Sequence, residues 1–185
     1  MAIGDLPMTL RVDGKDYEIN SDYRDILDIF EMLSLPSLSN TAKVLNMIDG
    51  IFYPNNPKNK KEAQEKAVWF MDIGGACGLQ EKQGSNKKTI DYKQDEQILF
   101  SAVNAVVGYD VRSLDYMHWW TFYGICQSIS PESLMAHITN IRHKKNKGIK
   151  LEKYEERFYS DNRHLIDFKI DEEEYNHVMK FLRGE

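Results

Sequence analysis

Cysteine is scarce in this chain: two residues, Cys77 and Cys126, in 185 positions. They lie far apart with no CxxC partner, which excludes a disulfide scaffold and a thiolate zinc site as organising principles. Long apolar runs are missing as well, and no stretch approaches the length that spans a bilayer. The start, Met1-Ala-Ile-Gly-Asp-Leu-Pro7, lacks the basic head and apolar centre of a signal peptide, so residence in the cytoplasm is expected. Basic charge is not in excess: 24 Lys and Arg stand against 29 Asp and Glu, giving a net charge of −5, which argues against general nucleic-acid binding. There is no internal repeat. What remains is ordinary for a folded protein, with 42% hydrophobic and 29% charged residues, enough for one domain with a sizeable core.

The motifs of catalysis are missing too. The five histidines, His118, His137, His143, His164 and His177, show no HExxH or i, i+4 pairing, so neither a metal nor any other cofactor is expected. There is no GxSxG elbow, Walker A loop or dinucleotide fingerprint. Cys77 follows Gly74-Gly75 at the C-terminal end of a helix, where the dipole disfavours a thiolate. Carboxylate pairs such as Asp91 with Asp95 read as solvated faces or caps. No enzyme is expected, and no small-molecule substrate.

The periodicities predict a mainly α fold of about six to eight helices with a small N-terminal β-hairpin. Met8–Val12 alternates, Asp13-Gly14 makes a tight turn and Asp16–Ile19 returns. From Asp22 the period becomes helical, with Tyr23, Ile26, Leu27, Phe30 and Leu33 on one face up to Pro36. Further helices are expected over Ala42–Phe52, Lys61–Ile73, Asp91–Val107, from Ser130-Pro131-Glu132 to Ile141, and over Leu151–Tyr159. Gly78–Lys88 is polar and reads as a flexible connection. Asp171–Arg183 has acids first and bases last, as a terminal helix prefers. The chain divides into 1–168, a helical domain with its hairpin at about 6–20, and 169–185, an acidic extension.

The most distinctive segment is Asp110–Gln127, whose expected helix begins with Ser113 as cap and Asp115 in the first turn. Leu114, Met117, Thr121 and Ile125 fall on one face, and Trp119, Trp120, Phe122, Tyr123 and Cys126 cover most of the rest. Such a helix is usually buried or forms part of an interface. His118 reads as a core histidine that donates to a main-chain carbonyl, with its pKa lowered by desolvation.

These residues carry a resemblance. His118-Trp-Trp-Thr-Phe122, preceded by Val111 and Leu114, is similar to the Gp15 family of bacteriophage proteins. So are Asp91-Tyr92 with Asp95 and Ile98, Ile141-Arg142 with the lysines that follow, Lys153-Tyr-Glu155 and Ile19–Arg24. The resemblance runs from about Leu6 to Phe168. Relatives of this kind are encoded between the major tail protein and the tape-measure protein of long-tailed phages. That is the place of tail assembly chaperones, cytoplasmic factors that engage the tape measure, help the tail tube polymerise around it and are absent from the mature virion. The resemblance brings no catalytic residues.

It implies a protein that works by contact with the tape-measure protein, and with the major tail protein as a further partner. Candidate anchors are Trp119, Trp120 and Tyr123 on an exposed edge of the aromatic helix. Arg142, Lys144, Lys145 and Lys147 form a basic run with no acid between Glu132 and Glu152, and Tyr175 and Phe181 lie in the acidic extension. The hairpin offers a sheet edge to a partner. A minor structural tail component and a nucleic-acid-binding regulator acting through residues 142–150 are the rival readings.

Overall fold

The computed structural model describes residues 3–75 and 87–169. Over these residues the fold is mainly α, as the periodicities predict. A hairpin of β1 (Thr9–Val12) and β2 (Lys15–Glu18) opens it, followed by α1 (Tyr23–Ser34), α2 (Asn40–Phe52), α3 (Lys60–Met71), α4 (Glu96–Val107), α5 (Trp119–Gln127), α6 (Leu134–Asn146), α7 (Lys153–Asp161) and α8 (Arg163–Ile166). The connection around Gly84, the terminal segment from Asp171, Cys77, Tyr175 and Phe181 lie outside the described residues.

The hairpin forms because its turn residues supply the required backbone: Asp13 and Gly14 sit at φ 49 and 73, the left-handed pair of a two-residue turn. Leu10 and Val12 point inward, while Thr9 and Arg11 are exposed. Helices α1 and α2 begin at side-chain caps, Asp22 to the Arg24 N–H and Ser39 to the Ala42 N–H. Helix α3 is pinned to the hairpin turn, where Glu62 accepts from the Asp13 N–H at 2.9 Å and Asn59 donates to the Asp13 carboxylate at 2.7 Å.

One core gathers β1, α1, α2, α3, α4 and α5 around Ile26, Ile48, Ile51, Phe52, Phe70, Val103 and Phe122. Tyr23 stacks on Phe122 with ring centroids 4.3 Å apart. A second, smaller cluster of Ile138, Ile141 and Ile166 seats α6 on α8, with Phe158 of α7 against it. Helix α6 also packs on α4 and so joins the two.

Several element starts differ from the sequence expectation, each for a physical reason. The aromatic helix begins at Trp119, not at Ser113. Ser113 closes a short 3₁₀ turn over Val111–Ser113, and the chain then bends at Leu114 and Asp115 before it reaches an extended His118. That stretch is held by a bridge to the start of α1: the Tyr23 N–H donates to the Met117 carbonyl at 3.0 Å and the Trp119 N–H to the Ser21 carbonyl at 2.8 Å. Helix α4 begins at Glu96, because Asp91 caps a separate turn through the Lys93 and Gln94 N–H groups. Helix α6 begins at Leu134, since Ser133 supplies the cap to the Ala136 N–H and Pro131 stays in the preceding turn. Helix α7 starts two residues late, on a reciprocal cap between Glu152 and Glu155.

Candidate interaction surfaces

His118 is a structural keystone. It is 3% exposed; its Nδ1 accepts from the Trp120 N–H at 3.0 Å, capping α5, while Nε2 donates to the Pro7 carbonyl at 3.1 Å. Both bonds require a neutral ring with its proton on Nε2. Desolvation by burial lowers its pKa, against a smaller upward pull from the Pro7 carbonyl. The unfolded chain takes up the proton first as pH falls below 6.5, so the contribution of His118 is complete above that value and lost on acidification. Stability measured by urea unfolding is expected to fall between about pH 7 and about pH 5.5 in the unaltered protein. It should fall less in His118→Asn, whose amide keeps a cap acceptor that does not titrate. Equal losses in both proteins would refute this role.

The two adjacent tryptophans face the end of α3. The Trp119 indole N–H donates to the Met71 carbonyl at 3.1 Å and that of Trp120 to the Phe70 carbonyl at 2.9 Å, satisfying acceptors that a helix terminus leaves open. Trp119 is 4% exposed, so it is not an exposed anchor; its ring belongs to the core. Trp120 is half-buried, packed between Trp69 and Phe70 with Gly74 beneath it. Gly74 sits at φ 70, a conformation that lets the chain leave α3 under the indoles.

Tyr123 is half-buried one turn along α5 from Trp119, and both line an apolar pocket of about 270 Å³. Leu27, Trp119, Met135 and Ala136 contribute its walls, with Cys126 and Ile129 at the α5 end. Burial pushes the Cys126 thiol up to about 12, so an occupant meets a thiol and not a thiolate.

The basic run comes apart in the fold. Arg142 is 3% exposed and paired with Asp95, itself 1% exposed, at 2.9 Å between Nη2 and Oδ1. Arg142 also donates to the carbonyls of Ile166, Leu165 and Thr89 at 2.7, 2.8 and 3.0 Å, and its guanidinium lies 4.1 Å from the Phe168 ring centre. Asp95 is therefore no solvated helix face. Lys144 holds Glu155 through bonds of 2.6 and 2.8 Å, and Lys145 holds Asp167 at 2.7 Å and the Tyr159 hydroxyl at 2.8 Å. Hydrogen bonds from Lys144 hold the Glu155 carboxyl below its usual range. Bonds from Lys145, Arg163 and Tyr159 outweigh burial at Asp167 and bring it to about 2. Of the four candidate cations, Lys147 alone has no such clamp among the described residues, and it is exposed. Among the described residues, no three His, Cys, Asp or Glu side chains gather as a metal site. No described helix is long and apolar enough to cross a membrane.

The fold thus brings Trp119 and Tyr123 to one pocket and separates both from the basic residues. Sequence reading missed the pocket's other walls, Leu27, Ile129 and Met135, which carry only the ordinary signal of apolar helix positions. It also missed a groove of about 790 Å³ between β1 and α3, lined by Asp5–Arg11, Glu65, Lys66 and Trp69.

A family model described as Bacteriophage Gp15 protein matches residues 3–179. Comparison with curated proteins and with solved structures gave no match.

Proposed function

The chain belongs to the bacteriophage Gp15 family, and on that premise we propose that it is a tail assembly chaperone. In this reading it engages the tape-measure protein in the cytoplasm of the bacterial host, helps tail subunits polymerise around it, and leaves before the virion is complete. It acts by contact and makes or breaks no bond.

The observation that carries this reading is the apolar pocket beside Tyr123. A tape-measure protein is long and helical, and its apolar stripes must be shielded until the tube closes around it. A helix that lays such a stripe on a groove inserts one or two apolar side chains as anchors. A cavity of about 270 Å³ between α1, α4, α5 and α6 has the size and lining for one such side chain. The nucleic-acid reading loses its main support, because Arg142, Lys144 and Lys145 are already engaged by carboxylates.

The test is to fill the pocket. Ala136 lies on its wall and is only partly buried, so Ala136→Phe occupies the space from the rim. The variant is expected to fold and to lose at least about tenfold of its recovery with co-expressed tape-measure protein, whereas Lys147→Ala recovers it fully. Unchanged capture by a folded Ala136→Phe would remove the pocket from the proposal. Mass spectrometry of purified virions separates the chaperone from a structural tail component, which would be retained.

A further inference from the structure

The apolar pocket that Tyr123 lines is within reach of a segment of this same chain, the one that follows Lys169. The last described residues run beside the turn that leads into α4. The Lys169 N–H donates to the Gln94 side-chain oxygen at 2.8 Å, and the Gln94 amide donates to the Asp167 carbonyl at 3.0 Å. The Arg142 guanidinium lies 4.1 Å from the Phe168 ring centre and donates to the Thr89 carbonyl at 3.0 Å. Thr89 and Gln94 bracket Ile90 and Tyr92 in the chain, and both of these line the pocket. The chain is thus delivered beside the pocket wall just before Ile170.

The segment has the pattern to fill the space. Tyr175, Val178, Met179 and Leu182 recur at i, i+3, i+4 and i+7, an apolar stripe about 100° wide on a helix, with His177 opposite it. Residues 170–174 reach up to about 17 Å when extended, more than the roughly 7 Å that two residues put between Gln94 and Tyr92. Residues 175–182 then cover about 12 Å as two helical turns. The pocket offers about 270 Å³ between Leu27, Leu99 and Met135, with Ala136 on its wall. That is room for one or two apolar side chains, and a methionine adapts to an irregular outline better than a branched residue does.

We propose that residues 175–182 dock in this pocket as a helix in the free protein, with Met179 as the anchor, and that the apolar stripe of the tape-measure protein displaces them. The inference rests on the reading of this pocket as the tape-measure site and adds its regulation. The apolar walls are covered by the chain itself until a partner of the same chemistry competes for them. A tethered segment acts at high effective concentration, so a weak contact suffices. Seated about 80% of the time, it leaves one pocket in five open and weakens the partner's apparent affinity about fivefold.

Methyl–methyl nuclear Overhauser effects in the full chain, with no partner present, test the contact itself. Contacts from Met179 and Leu182 to Met135 and Ala136 are expected. They should vanish in Met179→Asp and persist in His177→Asp, which places the same charge on the opposite face. At limiting concentration, Met179→Asp is also expected to recover about fivefold more tape-measure protein than the unaltered chain, and His177→Asp the same amount as the unaltered chain. The inference is overturned by absence of contacts between the segment and the pocket. It is overturned equally by contacts that arise only between differently labelled copies, or by capture that is present but indifferent to Met179→Asp. A tape-measure protein captured by none of these proteins removes the chaperone reading and the competition with it, while the self-contact is decided by the Overhauser effects alone. Capture without any self-contact removes only the docked segment.

Discussion

Arg142→Ala is expected to lower the unfolding free energy by about 3–5 kcal/mol, the cost of leaving a buried carboxylate without its counter-charge. Domains of this kind are stable by only about 5–15 kcal/mol in all, so the variant should sit at the edge of unfolding. The effect is large because one guanidinium ties four segments together. Arg142 of α6 reaches Asp95 at the start of α4, the Leu165 and Ile166 carbonyls at the end of α8, and the Thr89 carbonyl. Lysine cannot replace it, since a single ammonium has neither the fork that meets both carboxylate oxygens nor the reach to the carbonyls. Urea unfolding of Arg142→Ala beside Lys147→Ala checks this directly, because the two positions belong to the same basic run. A loss below about 1 kcal/mol at Arg142 would mean that the pair is solvated in solution.

Trp119→Ala is the second large effect, at about 3–5 kcal/mol for an aromatic side chain removed from a closed core. Its ring touches those of Phe30, Phe122 and Tyr123, and its indole N–H holds the end of α3. A variant that fails to capture a partner would therefore be failing to fold. Tyr123→Ala separates the two cases: its ring is half-buried at the pocket mouth, so the variant should stay folded while binding weakens. Equal and small stability losses at both positions would place Trp119 outside the core and restore it as an anchor.

The contrast between these positions shows what was legible in the sequence. Local signals sufficed for the hairpin, where Asp13-Gly14 dictates the turn, and for the inward face of α3, where Ala63, Ala67, Phe70 and Met71 are all buried. His118 was legible as a buried histidine bonded to a main-chain carbonyl, because so aromatic a neighbourhood leaves no wet place for it. The start of α5 was not legible, because what holds the chain extended at His118 is the Ser21–Asp22 segment, nearly a hundred positions away. The basic run misled for the same reason. Its counter-charges Asp95, Glu155 and Asp167 come from other elements, and no spacing rule announces them. The groove beside β1 depends on which strand parity faces α3, a fact set by packing.

Co-expression with the tape-measure protein, followed by size-exclusion chromatography, tests the central claim most directly. The tape-measure protein is expected to be soluble and to co-elute with this chain, and to precipitate when the chain is withheld. A tape-measure protein with the same solubility and elution volume in both cases would contradict it.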